Sequence, residues 1–169
     1  MGKLINTMAQ KNIVSRLNAH FDESNSDDYL KAQIKDLIQK EDYKTLLKLK
    51  CRHTVLKSLS FEELLKCKFY LNAMDIYDYA RIHNLDKEKM MVLSQIIIAM
   101  GDPTYIYQFL DLNNAPIDML VYGLIKTEDL KHLRLLLRAD ILPKELLSMI
   151  VDEIHRIEQK INSRHSSNN

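Results

Sequence analysis

Cys51, His53, Cys67 and His83 are four soft or borderline metal ligands close together in the chain, and the Cys51-Arg52-His53 spacing could offer a thiolate and an imidazole to one zinc ion. A structural zinc site closes a tetrahedron with paired ligands at both ends, whereas Cys67 and His83 each stand alone. The simpler reading makes Cys67, inside a Leu-rich run, a small buried hydrophobe. Both cysteines are then free thiols in a reducing compartment, and no metal or other cofactor is expected. Nucleophilic catalysis would need Cys or Ser held against His and oriented by a third group. None of the six histidines sits in a recognisable elbow or motif, and three scattered glycines cannot build a phosphate cradle. The chain reads as a protein that is not an enzyme.

Binding chemistry is better represented. Lys44, Lys48 and Arg52 fall at i, i+4 and i+8, a basic ridge along one helix face that could meet nucleic-acid phosphates or an acidic protein. The bland alternative is a solvated face. Aromatic side chains interleaved with the lysines would argue for base stacking, but Tyr43 is the only one near in sequence. Tyrosines crowd the middle of the chain instead. Tyr79 belongs to an apolar pattern and should be core, whereas Tyr77, Tyr105 and Tyr107 lie outside that pattern, with Arg134 in register with Tyr107. These four are candidate partner-binding residues, since tyrosine and arginine are enriched where proteins dock. The alternative packs the tyrosines between helices with only the hydroxyl at the rim.

The elements that must position these residues come from a 27-residue unit written three times over 71–97, 98–124 and 125–151. Seven columns are apolar in every copy, among them Tyr79/Ile106/Leu133, Ile82/Phe109/Leu136 and Ile97/Leu124/Val151. Their spacing is that of two short amphipathic helices per copy. Asp75/Asp102/Asp129 and Asp86/Asn113/Asp140 form two further columns whose short side chains suit helix N-caps. Asp102-Pro103 is the strongest such signal, a cap followed by proline where no N–H is needed. Pro116 and Pro143 fall in the first turn of the second helix. Residues 41–70 look like a stretched fourth copy with five extra residues between its helices, and Ser60-Phe61-Glu62-Glu63 spells a capping box. A hairpin this small cannot bury its apolar face alone, so copies must stack.

The centre copy carries Gly101-Asp102-Pro103-Thr104-Tyr105-Ile106-Tyr107-Gln108-Phe109, which resembles the "G-D-x-x-Y-I-Y-x-F-A" helical repeat of bacterial and phage or large-virus proteins. The first copy keeps Asp75, Tyr77 and Ala80 in shifted form, and the third keeps Thr127, Asp129 and an all-leucine face. The resemblance implies a stacked helix-pair scaffold with a binding role, and it brings no catalytic residues.

The ends complete the expected architecture. Residues 3–21, with Leu4, Ile5, Met8, Ile13, Leu17 and Phe21, predict an N-terminal capping helix, followed by an acidic turn over 22–28 and a helix over 27–40. Beyond Pro143 a helix is expected to about Ile161, with Leu147, Ile150, Ile154, Ile157 and Ile161 as its seam; it serves as a terminal cap or as a dimerisation helix. Residues 162–169 have nothing to bury and are expected to be disordered. The expectation is therefore all-α: one domain over 1–161, a short right-handed α-solenoid of about four stacked hairpins (41–70, 71–97, 98–124, 125–151) between capping helices. Net charge is +1, but a mildly basic head, with 13 Lys/Arg against 9 Asp/Glu in 1–68, meets an acidic middle, with 3 against 7 in 69–124. No apolar run reaches the length of a membrane span, and the first residues miss the myristoylation pattern. The expected function is a non-enzymatic protein-interaction module, an adaptor or inhibitor in the cytoplasm, or in the host cytoplasm if viral. The alternative is a nucleic-acid binder using the basic ridge.

Overall fold

The computed structural model describes residues 27–139 and 142–166. Among these residues all regular structure is helical, with ten α-helices and one 3-10 turn. The chain divides into two compact units, Met1–His83 and Asn84–Asn169. The division falls inside the first 27-residue copy, after its first helix. The expected N-terminal helix over 3–21 lies outside the described residues, as does Asp140.

In the first unit, α1 (Asp27–Gln39) packs on α2 (Tyr43–Leu46) and α3 (Arg52–Ser58). Next come α4 (Phe61–Cys67), a 3-10 turn (Lys68–Tyr70) and α5 (Ala73–His83), which packs on α3. The expected capping box is present: the Ser60 hydroxyl accepts from Glu63 N–H at 3.2 Å and the Glu63 carboxylate accepts from Ser60 N–H at 2.7 Å. The insertion in residues 41–70 does not lie between two helices. It breaks the first of them, so that Leu47–Cys51 is a turn and Leu46, Leu49 and Cys51 all point inward. Ile34, Val55, Leu56, Leu64 and Ile76 close the core without measurable exposure.

In the second unit, α6 (Lys87–Met100), α8 (Ile117–Lys126) and α10 (Lys144–Ser166) are the second helices of successive copies, and each adjoins the next. The intervening first helices α7 (Pro103–Phe109) and α9 (Leu130–Leu136) also adjoin one another. The column Tyr79/Ile106/Leu133 is buried in every copy; Val151 is the exception in its own column, at 37% exposed. Gly101 ends α6 with φ 72°, a left-handed cap that glycine adopts without steric penalty. Gly123 marks a close approach: a Cβ there would lie 2.6 Å from Ile98 Cγ1.

Caps follow the sequence expectation in part. Asp102 accepts from Thr104 and Tyr105 N–H, Asp129 from His132 N–H and Asp86 from Lys89 N–H. Asp75 does not cap. It stands in the first turn of α5, where its carboxylate accepts from Asn72 N–H and the Asn72 amide oxygen accepts from Asp75 N–H, both at 2.9 Å, because Asn72 already occupies the cap position. Asn113 is replaced as a cap by Pro116, which precedes Ile117 and so stands before the first turn of α8. Helix α10 runs to Ser166, past the expected end at Ile161: once a helix is nucleated each further residue adds a bond, and Ser163 also donates to the Lys160 carbonyl. Its seam residues Ile150, Ile154 and Ile157 are buried within the unit, whereas Ile161 is 40% exposed.

Candidate interaction surfaces

The basic ridge does not form one line. Lys44 and Lys48 are exposed, but α2 ends before Lys48, and Arg52 opens α3 with its guanidinium turned inward. Arg52 Nε and Nη2 donate to the two Asp75 oxygens at 2.7 Å each, and Nη1 donates to the Leu47 carbonyl. Asp75 is 1% exposed, so the pair is a bidentate staple between α3 and α5. This geometry is why the helix expected through Arg52 is interrupted.

The metal-ligand types are equally dispersed. Cys51 and Cys67 are buried, and burial pushes both thiols up, Cys67 to about 11. His53 is exposed, whereas His83 stacks on Tyr79 at 4.1 Å between centroids and places Nε2 2.9 Å from the Leu56 carbonyl. Among the described residues no three or more His, Cys, Asp or Glu side chains converge as a metal would require. Tyr79 is core, with its hydroxyl donating to the Leu59 carbonyl at 3.2 Å and burial raising its pKa to about 12.

Tyr77, Tyr105 and Tyr107 are each half-buried. The Arg81 guanidinium lies 5.9 Å from the Tyr77 ring, and the Tyr107 ring lies 5.6 Å from that of His132. His132, which falls in the repeat column of Tyr105, is 7% exposed, with Nδ1 2.8 Å from Asp129 Oδ1. Burial works against the Asp129 carboxylate, but the bonds from His132 hold its pKa below the usual value. Ala80, in register with Tyr107 and Arg134, is 4% exposed. Arg134 is exposed and pairs with Glu158 of α10 at 2.6 Å. Arg156 and Lys160 similarly pair with Glu128, at 2.9 and 3.0 Å.

Two surfaces were missed by sequence reasoning. The first lies on the second helices of the second unit, where Gln95, Tyr122 and Met149 occupy one repeat column and are exposed in every copy, as are Met91, Asp118 and Glu145. Tyr122 and Met149 are in contact, hydroxyl to sulfur, at 3.6 Å. The signal was present in the repeat alignment, because both columns change chemical type from copy to copy. The second surface, in the first unit, exposes Phe69, Tyr70 and Met74 at 87%, 55% and 47%. Beside it is a cleft of about 570 Å³ lined by Glu41, Asp42, Tyr43, Lys44, Lys66 and Tyr70. Among the described residues no helix is long and apolar enough to cross a membrane.

No protein family, curated protein or solved structure matches this chain.

Proposed function

We propose that this chain is a non-enzymatic protein-binding module of α-solenoid type, an adaptor or inhibitor that acts through another protein. In this reading the copies over 71–151 are degenerate members of the G-D-x-x-Y-I-Y-x-F-A repeat, and the second helices α6, α8 and α10 present the recognition face. The observation that supports it is the contrast between columns. Met91/Asp118/Glu145 and Gln95/Tyr122/Met149 are exposed throughout and differ in charge and size, while Tyr79/Ile106/Leu133 are buried throughout. A stacked scaffold that fixes its core and varies its surface suits recognition rather than chemistry. Tyr122 with Met149 supplies an adaptable apolar anchor, and half-buried Tyr105 and Tyr107 contribute from α7.

Affinity capture from a cell lysate, with and without nuclease, tests this reading. One protein should be retained in both arms, retained by the Lys44→Glu/Lys48→Glu variant, and lost from Tyr122→Arg/Met149→Arg. Capture that disappears with nuclease and with the lysine variant, and weakens steeply with salt, would overturn it in favour of nucleic-acid binding.

A further inference from the structure

We propose that the knob at Phe69 and the cleft beside Tyr70 form one self-complementary face on which a second copy of this chain docks. The inference goes beyond the recognition face on α6, α8 and α10, and it uses none of those residues.

The knob is presented by the fold. The 3-10 turn Lys68–Tyr70 is held between two buried residues, Cys67 at its start and Leu71 at its end, so the intervening side chains project outward. Phe69 is left 87% exposed, with the Lys68 ammonium 5.3 Å from its ring centroid, and Met74, in the first turn of α5, is exposed as well. An aromatic side chain displayed this fully, on a turn anchored at both ends, is the kind of anchor that dominates interface energetics.

The cleft and the knob share a residue. Tyr70 lines the cleft together with Tyr43, Glu41, Asp42, Lys44 and Lys66, and it follows Phe69 in the turn. The cleft has a volume of about 570 Å³, and Tyr43 and Tyr70 supply its aromatic lining. A two-fold contact needs a projection and its receptor on the same face, because each copy must give and receive through one patch. A foreign partner would have to supply both shapes. A second copy has both, with the axis passing near Tyr70.

The charges fit the same arrangement. Lys68 accompanies the knob, and the cleft that would receive it carries Glu41 and Asp42 alongside Lys44 and Lys66, with Glu41 the carboxylate that Lys68 would meet. Glu41 pairs with Lys66 at 2.5 Å, but both side chains are more than half exposed, so the carboxylate is open to a second cation. Aromatic side chains among charges of both signs are the composition of a protein interface.

Sedimentation velocity on the full chain across a wide concentration range tests the proposal. A reversible monomer–dimer equilibrium is expected. Phe69→Asp should raise its Kd by at least about a hundredfold, since one anchor is lost from each of two symmetry-related contacts. Circular dichroism and Tm of that variant should match the parent, because among the described residues the side chain makes little contact. Lys68→Glu and Glu41→Lys should each weaken association alone, and their equimolar mixture should recover it, because crossing the two restores both opposite-charge contacts. A parent chain that stays monomeric would overturn the proposal, as would a dimer indifferent to Phe69→Asp or variants whose mixture does not recover. Monomers that bind a single-stranded oligonucleotide through Phe69 would reassign the face to nucleic acid. None of these outcomes bears on capture through Tyr122 and Met149.

Discussion

Replacing Asp75 by Asn removes a charge from the least forgiving position in the first unit. The carboxylate is 1% exposed, takes two 2.7 Å bonds from Arg52 and a 2.9 Å bond from Asn72 N–H. An amide of the same shape keeps one acceptor oxygen, but it turns an N–H₂ toward a guanidinium that can only donate. Breaking a fully buried pair by removing one member costs about 3–5 kcal/mol. Arg52 is 27% exposed and regains some hydration, so a loss of about 2–3 kcal/mol is expected. Urea unfolding followed by circular dichroism should show the midpoint falling by about 1–2 M. Hydrogen exchange should place the lost protection in α3 and α5. Arg52→Met/Asp75→Leu should recover much of the loss, because a burial problem is removed along with the bond. A midpoint within about 0.3 M of the parent for Asp75→Asn would refute the reasoning, as would a double variant no better than the single one.

Gly123→Ala should destabilise by about 1 kcal/mol: a methyl 2.6 Å from Ile98 Cγ1 overpacks by about 2 kcal/mol, and the gain in helix propensity returns about half. Adding Ile98→Val should relieve part of the loss in thermal unfolding. Cys51 and Cys67 should label with a thiol reagent at neutral pH far more slowly than in urea, since burial raises both thiols and shields the sulfur; immediate native-state labelling would contradict this. In the α10 network, hydrogen bonds from Arg156 and Lys160 hold Glu128 below the usual carboxylate range, and those from Arg156 do the same for Glu153. A depressed folded-state pKa contributes stability that is present above the ordinary value near 4.5 and is lost as pH falls through the lower one. Tm should therefore decline on acidification from about pH 5 downward, and Glu128→Gln should flatten that decline.

What was legible in the sequence was local. The capping box at Ser60, the Asp102-Pro103 start, the Asp86 and Asp129 caps and two helices per copy all follow from side chains acting within one turn of their own backbone. What escaped was set by partners distant in sequence. Asp75 sits in the same column as Asp102 and Asp129, yet its carboxylate serves Arg52, 23 residues away, and Asn72 takes the cap. No helical period could reveal that Arg52 would leave the Lys44/Lys48 face, nor that Tyr107 would cover His132. The aromatics missed beside Lys44 are Tyr70, brought to the cleft by the return of the chain, and Phe69 next to it. Exposure of an apolar residue leaves no mark in composition, because the same phenylalanine would spell a core position.

The contact between Gly123 and Ile98 bears on how such a chain could have arisen and could still change. Both partners lie inside one 27-residue stretch, 98–124: Ile98 completes the preceding second helix, and Gly123 sits on the next. A tandem duplication of that stretch would carry the bump and the hollow together, and the new copy would meet its neighbour already fitted. Mutation need not rediscover the match. The fit belongs to this stretch alone, since Ile96 and Ile150 stand in the column of Gly123 on either side, so only a duplication that took 98–124 whole would carry it.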